Sequence, residues 1–451
     1  MSQITSDELD IDLEKSTMSQ LIQDILDEAK KLGATSAEVG VSKQVGLSVN
    51  VRNNDVETIE FNRDCGFGIT VFVGQRKGNA STSDTSPSAI KAAVGAATSI
   101  AKQTTEDPYA GLVDPKLLAT DIKDLQLDHP MGITPETAIE RAKNAEQALL
   151  ATDKRIKSSD GTSFASHRGI RMYGNSHGFL AGYPTSRHLL SAVAIAEDSQ
   201  GMQRDYYYTG ARNPNDLLAD DIIGTKAAQR SVSRLGAKSV PTGSFPVLLS
   251  PEVAAGFIGH FSSAIRGGSL YRKSSFLVDH LGKQIFPSNV SIEEKPFILG
   301  ALGSAPFDAE GVETREQYFI HDGILENYIL SSYSARRLGL STTANAGGVH
   351  NLLVSNSNKD LQQLLAEMQN GLLVTEVMGQ GVNIVTGDYS RGASGFWVSN
   401  GEIQFPVEEI TIAGNLKSMM ANIVAIGNDY DPRLSTQTGS VLLESMMIAG
   451  N

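Results

Sequence analysis

The spacing of apolar residues changes period repeatedly along the first half of this chain, and that change restricts the fold more than any other feature. From Thr17 onward, Leu21, Ile22, Ile25, Leu26, Ala29 and Leu32 recur at three- and four-residue steps, which is one face of a helix. Gly33 follows where a helix end favours a left-handed residue. Between Ala37 and Ser81 the period falls to two, in Leu47, Val49 and Val51 and again in Ile69, Val71 and Val73, with Asn53-Asn54 and Gly74 as turn residues. Ser86-Pro87 then places a cap before a proline at the first helical position, and Ile90, Ala93, Val94, Ala97 and Ile100 form a second helical stripe. Thr134-Pro135 repeats the device ahead of Ala138, Ile139, Ala142, Ala145 and Leu149. Residues 154–210 return to short alternating runs broken by turn residues, a β-meander, and 215–235 are helical again up to Gly236.

This pattern predicts an α+β fold, with helices packed on antiparallel sheets in the N-terminal half. Residues 1–16, acidic and without a period, read as a flexible tail. Residues 17–239 form the N-terminal domain, with two sub-layers at 17–104 and 134–236. The stretch Val240-Pro241-Thr242-Gly243 marks a boundary. Residues 240–451 are predicted to be mainly β, barrel-like or a sandwich, with helices at 251–265, 332–338 and 360–369. Strands are expected at 245–249, 372–378, 382–385, 396–398, 402–405 and 441–443.

Charge narrows the function. Lys and Arg number 38 against 51 Asp and Glu, a net charge of -13, which opposes binding to a phosphate backbone and makes a nucleic-acid partner unexpected. One cysteine, Cys65, allows no intramolecular disulfide and suits a reducing cytosol. No apolar run reaches the roughly 18 residues of a membrane span, and no export signal opens the sequence, so a cytoplasmic protein is expected.

Motif tests exclude several chemistries. The run from Gly267 to Ser274 has Arg272 where a phosphate loop needs glycine. Gly379-Gln380-Gly381 is followed by strand-like rather than helical spacing, against a dinucleotide site. The eight histidines include no His-Glu pair and no two within five residues, so a helical zinc pair is excluded. His167, His177 and His188 either converge as metal ligands on neighbouring strands or are ordinary structural residues of the meander. Asp308 and Glu310 either form an acid/base pair or shape a turn. Residues 266–275, 307–312 and 387–392 combine charge, hydroxyls and glycine, as cleft linings and tight turns both do.

Those same segments carry a resemblance. Gly267-Gly268-Ser269 with Arg272-Lys273-Ser274, Phe307-Asp308 with Glu310-Gly311-Val312, Ser332-Tyr333-Ser334-Ala335-Arg336, Gly387-Asp388-Tyr389-Ser390-Arg391-Gly392 and Glu409-Ile410-Thr411-Ile412-Ala413-Gly414-Asn415-Leu416 resemble the TldD/PmbA family. Arg204-Asp205-Tyr206 and Gly174-Asn175-Ser176-His177-Gly178 extend the match over nearly the whole chain. The resemblance implies a heterodimeric zinc metalloprotease that processes unfolded peptides. In it a TldD-like catalytic subunit supplies a His-Glu-x-x-x-His helix and a later cysteine. Here Pro246-Val247-Leu248-Leu249 matches the strand before that helix, but if His260 matches the first ligand then Phe261 and Ile265 replace the glutamate and the second histidine. Residues 436–451 contain no cysteine.

The resemblance therefore implies a subunit with no catalytic and no metal residue. It has no cofactor of its own, zinc being expected in the TldD-like partner, and the sequence leaves open whether it forms a homodimer when it is alone. Arg272, Lys273, Asp388 and Arg391 are the residues expected to line the substrate channel. The older family label, modulator of DNA gyrase, leaves a non-enzymatic regulatory binding protein acting on gyrase or an RNA regulator as the alternative.

Overall fold

In the computed structural model, which describes residues 9–450, the first helix, α1 (Ile11–Lys31), begins ahead of the apolar stripe. Asp10 caps it, accepting a hydrogen bond from the Leu13 N–H at 3.1 Å. Asp12 and Glu14 lie in the first turn, where the helix dipole favours acids, and Glu14 pairs with Lys43. Residues 11–16 are therefore helical, which corrects the flexible-tail reading for them; residues 1–8 lie outside the described residues. The early turn was invisible to periodicity because Leu13 faces solvent.

There follow β1 (Ser36–Arg52), β2 (Asp55–Val73), β3 (Arg76–Thr82), α2 (Pro87–Gln103), α3 (Pro135–Thr152), β4 (Ile156–Asn175), β5 (Leu180–Asp198), β6 (Gly201–Ala211) and α4 (Asp220–Ser233). The strands form one antiparallel sheet in the order β3-β2-β1-β4-β5-β6. Pairing of β1 with β4, from Glu38↔Asn175 to Val51↔Thr162, joins the two sub-layers into that single sheet. Because side chains alternate along a strand, Val39, Val41, Val49, Phe164 and Met172 share one face. All four helices cover this face, in two clusters. Ile22, Ile25, Val94 and Ala97 pack over one half, and Ala142, Leu149, Ile223 and Ala227 over the other. Gly224 permits the second: a Cβ there would meet the Ala145 carbonyl oxygen at 1.9 Å. The opposite face carries Ser42, Gln44, Arg171 and Arg187, all exposed.

The C-terminal half contains β7 (Gly243–Leu249), α5 (Pro251–Ala264), α6 (Gly267–Tyr271), β8 (Ile292–Glu294), β9 (Gln317–His321), β10 (Ile324–Leu325), α7 (Ser332–Leu338), β11 (Leu352–Val354) and α8 (Leu361–Met368). Then come β12 (Gly371–Met378), β13 (Asp388–Ser399), β14 (Glu402–Asn415), α9 (Leu416–Ala421), β15 (Ile423–Ile426), β16 (Thr436–Gln437) and β17 (Val441–Ala449). The order β14-β13-β12-β7-β17 closes on itself through the β14–β17 pairing, giving the barrel. Closing so small a barrel requires sharp bends. Register shifts at Val374/Glu376 and Ala393/Gly395 mark them, and a side chain on Gly395 would strike the Leu373 carbonyl oxygen at 1.9 Å. A second sheet, β10-β9-β8-β11-β16, lies beside it.

Residues 382–385 are not a strand. Asn383 accepts the Val385 N–H through its side chain and the Gly387 N–H through its carbonyl, which turns the chain back toward β13. The short helices α6 and α9 are additions to the expected set; paired glycines concealed the first.

Candidate functional site

The strand-to-helix junction that follows the family pattern is β7 running into α5, with Ser250 at the cap and Pro251 at the first helical position. Val253, Ala254, Phe257, Ile258, Phe261 and Ala264 form the buried face of α5, with Ile265 buried at its end. His260 lies off that stripe and is half-buried. Its ring stands 6.0 Å from that of Tyr389 on β13, at 70°. Arg391, two residues further on the same face of β13, reaches the carbonyl oxygens of Met378 (3.4 Å) and Val377 (3.3 Å). Burial, and then the Arg391 charge, hold the His260 pKa below its ordinary value; burial raises that of Tyr389. The junction thus presents a neutral imidazole beside a guanidinium.

The other residues singled out in the sequence do not all gather here. Asp388 is on β13 as well, but alternation turns it to the face opposite Arg391, where it accepts from Thr386 Oγ1 (2.7 Å) and Asn415 Nδ2 (3.4 Å). Arg272 and Lys273 are exposed just past α6. Arg272 donates to the Tyr271 hydroxyl at 3.2 Å, and Lys273 takes a left-handed φ of 56°. One backbone bond, Phe276 N–H to the Ile384 carbonyl at 3.0 Å, ties their loop to the one preceding β13.

The meander histidines do not converge. His188 pairs with Ser166 in the β4–β5 register, so the pleat sends His188 and His167 to opposite faces. His188 is buried between Ser166 Oγ (3.0 Å from Nδ1) and the His129 carbonyl (2.9 Å from Nε2). Asp308 and Glu310 shape a turn. Asp308 accepts the N–H groups of Glu310, Val312 and Ala346, and Glu310 accepts that of Ser332 at the start of α7. Burial, reinforced by the Glu310 charge, pushes the Asp308 carboxyl up to about 7. Sequence reasoning missed the ionic cluster of Asp205, Arg230, Arg234, Glu252 and Arg433, which joins the two halves around a cavity of about 410 Å³.

The depressed His260 pKa has a measurable consequence. In the unfolded chain the imidazole takes its proton near its ordinary pKa of about 6.5. The folded form resists that proton, so its contribution to stability is present above about pH 6.5 and is lost as the pH falls through and below that value. Between about pH 7 and 5.5 the thermal midpoint of the parent is expected to lose ground to that of His260→Gln, while the buried Asp308 carboxyl, raised to about 7, acts with the opposite sign in both. His167, also depressed by burial, leaves a residual slope. Identical slopes would show that His260 is not a titrating contributor.

Comparison with known proteins places this geometry. Three family models match: PmbA/TldA metallopeptidase domain 1 over residues 37–101, the central domain over 128–235 and the C-terminal domain over 242–450. The chain is 53% identical to metalloprotease PmbA of Escherichia coli O157:H7, over 92% of each chain. It is 51% identical to a metalloprotease PmbA homolog of Haemophilus influenzae, over 97% of each. Among solved structures, a proposed modulator of DNA gyrase from Bacteroides thetaiotaomicron superposes with a TM-score of 0.90 at 27% identity, covering 96% of this chain and 98% of that one. From the three matched domains and the near full-length identity, the chain belongs to the PmbA/TldD metallopeptidase family.

Proposed function

We propose that this chain is the metal-free subunit of a two-chain zinc peptidase, which helps to hold an unfolded peptide while a TldD-like partner cleaves it. The observation that carries this reading is the position of Phe261 and Ile265. The motif needs a carboxylate and an imidazole there, but both side chains are 0% exposed in the apolar core, where Phe261 packs edge-on against Phe286 at 5.2 Å. His260 is then left without a second ligand, and the nearby charge is the cationic Arg391, which opposes a bound dication. A zinc site requires three or four converging donors. Among the described residues, no three His, Cys, Asp or Glu are grouped to hold a metal. These residues do not fit the ion, and on this reading the metalloprotease name of the relatives describes a property of the assembled pair.

What this chain contributes is binding and positioning. The exposed polar part of the helix-free face of the N-terminal sheet, together with Arg391 on β13 and Arg272 and Lys273 on the loop after α6, offers cations and hydroxyls to peptide carbonyls with little demand on side-chain identity. Asp388, on the other face of β13, is assigned to the opposite rim. No described helix is long and apolar enough to cross a membrane.

The test is elemental analysis of the untagged chain, followed by reconstitution. Essentially no zinc and no hydrolysis of a denatured peptide are expected from the chain alone, with hydrolysis appearing when a TldD-like partner is added. About one zinc per chain, or cleavage by the chain alone, would overturn the reading. Co-purification with gyrase in place of a TldD-like chain would favour the regulatory alternative.

A further inference from the structure

A second cavity lies between the helix-free face of the N-terminal sheet and the C-terminal half, and it is lined quite differently from the ionic cluster. It measures about 350 Å³, room for a chain end rather than a folded segment. Arg171 and Tyr183 line it from β4 and β5, and Arg212 from just past β6; Asp308, Gly347-Gly348 and His350 close the other side. Among the described residues its cations have no carboxylate partner. Arg212 spends its guanidinium on three carbonyl oxygens, of Ala301 (3.1 Å), Leu302 (2.9 Å) and Ser186 (3.3 Å), which fixes the wall without cancelling the charge. Arg171 lies over the Tyr183 ring, 5.7 Å from its centroid, and no ion pair joins it to any described residue.

The rim adds to this. A Cβ on Gly348 would lie 2.9 Å from Arg266 Nη2, which places another guanidinium against that glycine, again without an ion pair among the described residues. The one carboxylate in the lining, Asp308, has both oxygens engaged by three backbone N–H groups. His350 Nε2 is buried without a partner, although buried polar atoms are nearly always paired. Gly347 and Gly348 adopt φ of 96° and 137°, conformations that disfavour side chains and keep this wall bare. Guanidiniums that have no ion pair among the described residues are free to take an anion, and their planar fork matches a carboxylate in two-point contact.

We propose that this cavity is a carboxylate site that takes the free C-terminus of the peptide substrate, with Arg171 as its principal contact and Arg266 and His350 at its edge. The inference rests on the reading of peptides as substrates and names the part of the peptide that is held here.

The test uses the full chain with its partner and an N-acetylated hexapeptide of uncharged side chains, read by titration calorimetry. The free acid is expected to bind at least about tenfold more tightly than its C-terminal amide, the order of one charge-assisted contact. Arg171→Ala is expected to remove that preference by weakening the acid alone, and Arg266→Ala to reduce it in part. Arg171 is exposed, so an unchanged thermal midpoint separates this from misfolding. Equal binding of acid and amide, or equal weakening of both by Arg171→Ala, would overturn the proposal. Recovery of binding by an amide ending in Glu would overturn the terminus in favour of a side-chain carboxylate. Either result would leave hydrolysis by the reconstituted pair intact, so failure here is distinguishable from failure of the peptidase reading.

Discussion

Arg433→Ala is expected to destabilise the fold by about 3–5 kcal/mol, the usual cost of removing one partner from a buried charge network. The Arg433 side chain is 10% exposed and serves both halves of the molecule at once. Its guanidinium pairs with Asp431 and with Glu252 Oε1 (2.7 Å), donates to the Tyr208 carbonyl on β6 (2.9 Å), and lies over the rings of Tyr207 (4.3 Å) and Tyr208 (4.4 Å). Glu252 is held in turn by Arg230 of α4 at 3.0 Å, and Arg234, which caps α4, reaches Glu376 of β12 at 2.6 Å. Truncation therefore strands Asp431 and Glu252 in a half-desolvated crevice and loosens the seam between the halves.

Burial raises the cost of ionising Glu252, but the hydrogen bonds and charges of Arg230 and Arg433 outweigh it, and the carboxyl titrates below its ordinary range. A depressed carboxyl contributes stability that is present above its unfolded pKa, near 4.3, and is lost as the pH falls through the folded value. The gap between parent and variant should consequently narrow in acid. Urea denaturation at neutral and acidic pH measures both effects. A variant within about 0.5 kcal/mol of the parent at neutral pH would mean that the cluster adds nothing to the seam.

The helices and strands of the N-terminal half were legible because each buries one face against one layer, so a single periodicity reports both conformation and contact. What periodicity could not report is that Val39 to Val51 of β1 continue across both helix pairs, since the β1–β4 pairing is a contact distant in sequence. The barrel was legible as a class but not in its closure, because the joint lies between Thr411–Ala413 and Met447–Ala449, near the chain's end. In the site, His260 and the replacements at Phe261 and Ile265 could be read from motif spacing. The division of Asp388 from Arg391 could also have been read, from the odd separation of two residues on one strand. Arg433 was hidden: Asp431-Pro432-Arg433 reads as a solvated turn until the fold brings Glu252 and Tyr208 to it. The carboxylate cavity was hidden for the same reason, as its cations come from β4, the end of β6 and the start of α6.

Grafting the missing ligands, as Phe261→Glu with Ile265→His, is expected to unfold the chain rather than to load it with zinc. Phe261 and Ile265 are fully buried, and Phe261 is among the largest side chains so enclosed. Losing the Phe261 ring costs about 3–5 kcal/mol, and an unpaired carboxylate in its place adds several more. Together these approach or exceed the roughly 5–15 kcal/mol that holds a domain folded. Zinc could offset such a loss only by binding the folded form much more tightly than the unfolded one. That would require the new Glu and His to turn out of the core toward His260, against the packing of Phe257, Phe286 and Ile320. Denaturation of the double variant with and without added zinc gives the result. Absence of a cooperative transition in both conditions is expected, with Phe261→Leu, which keeps the core apolar, retaining most of the parent's stability. A folded double variant that holds about one zinc per chain would show that the α5 face, and not only its side chains, is still that of a metal site, and the metal-free assignment would then rest on residue identity alone.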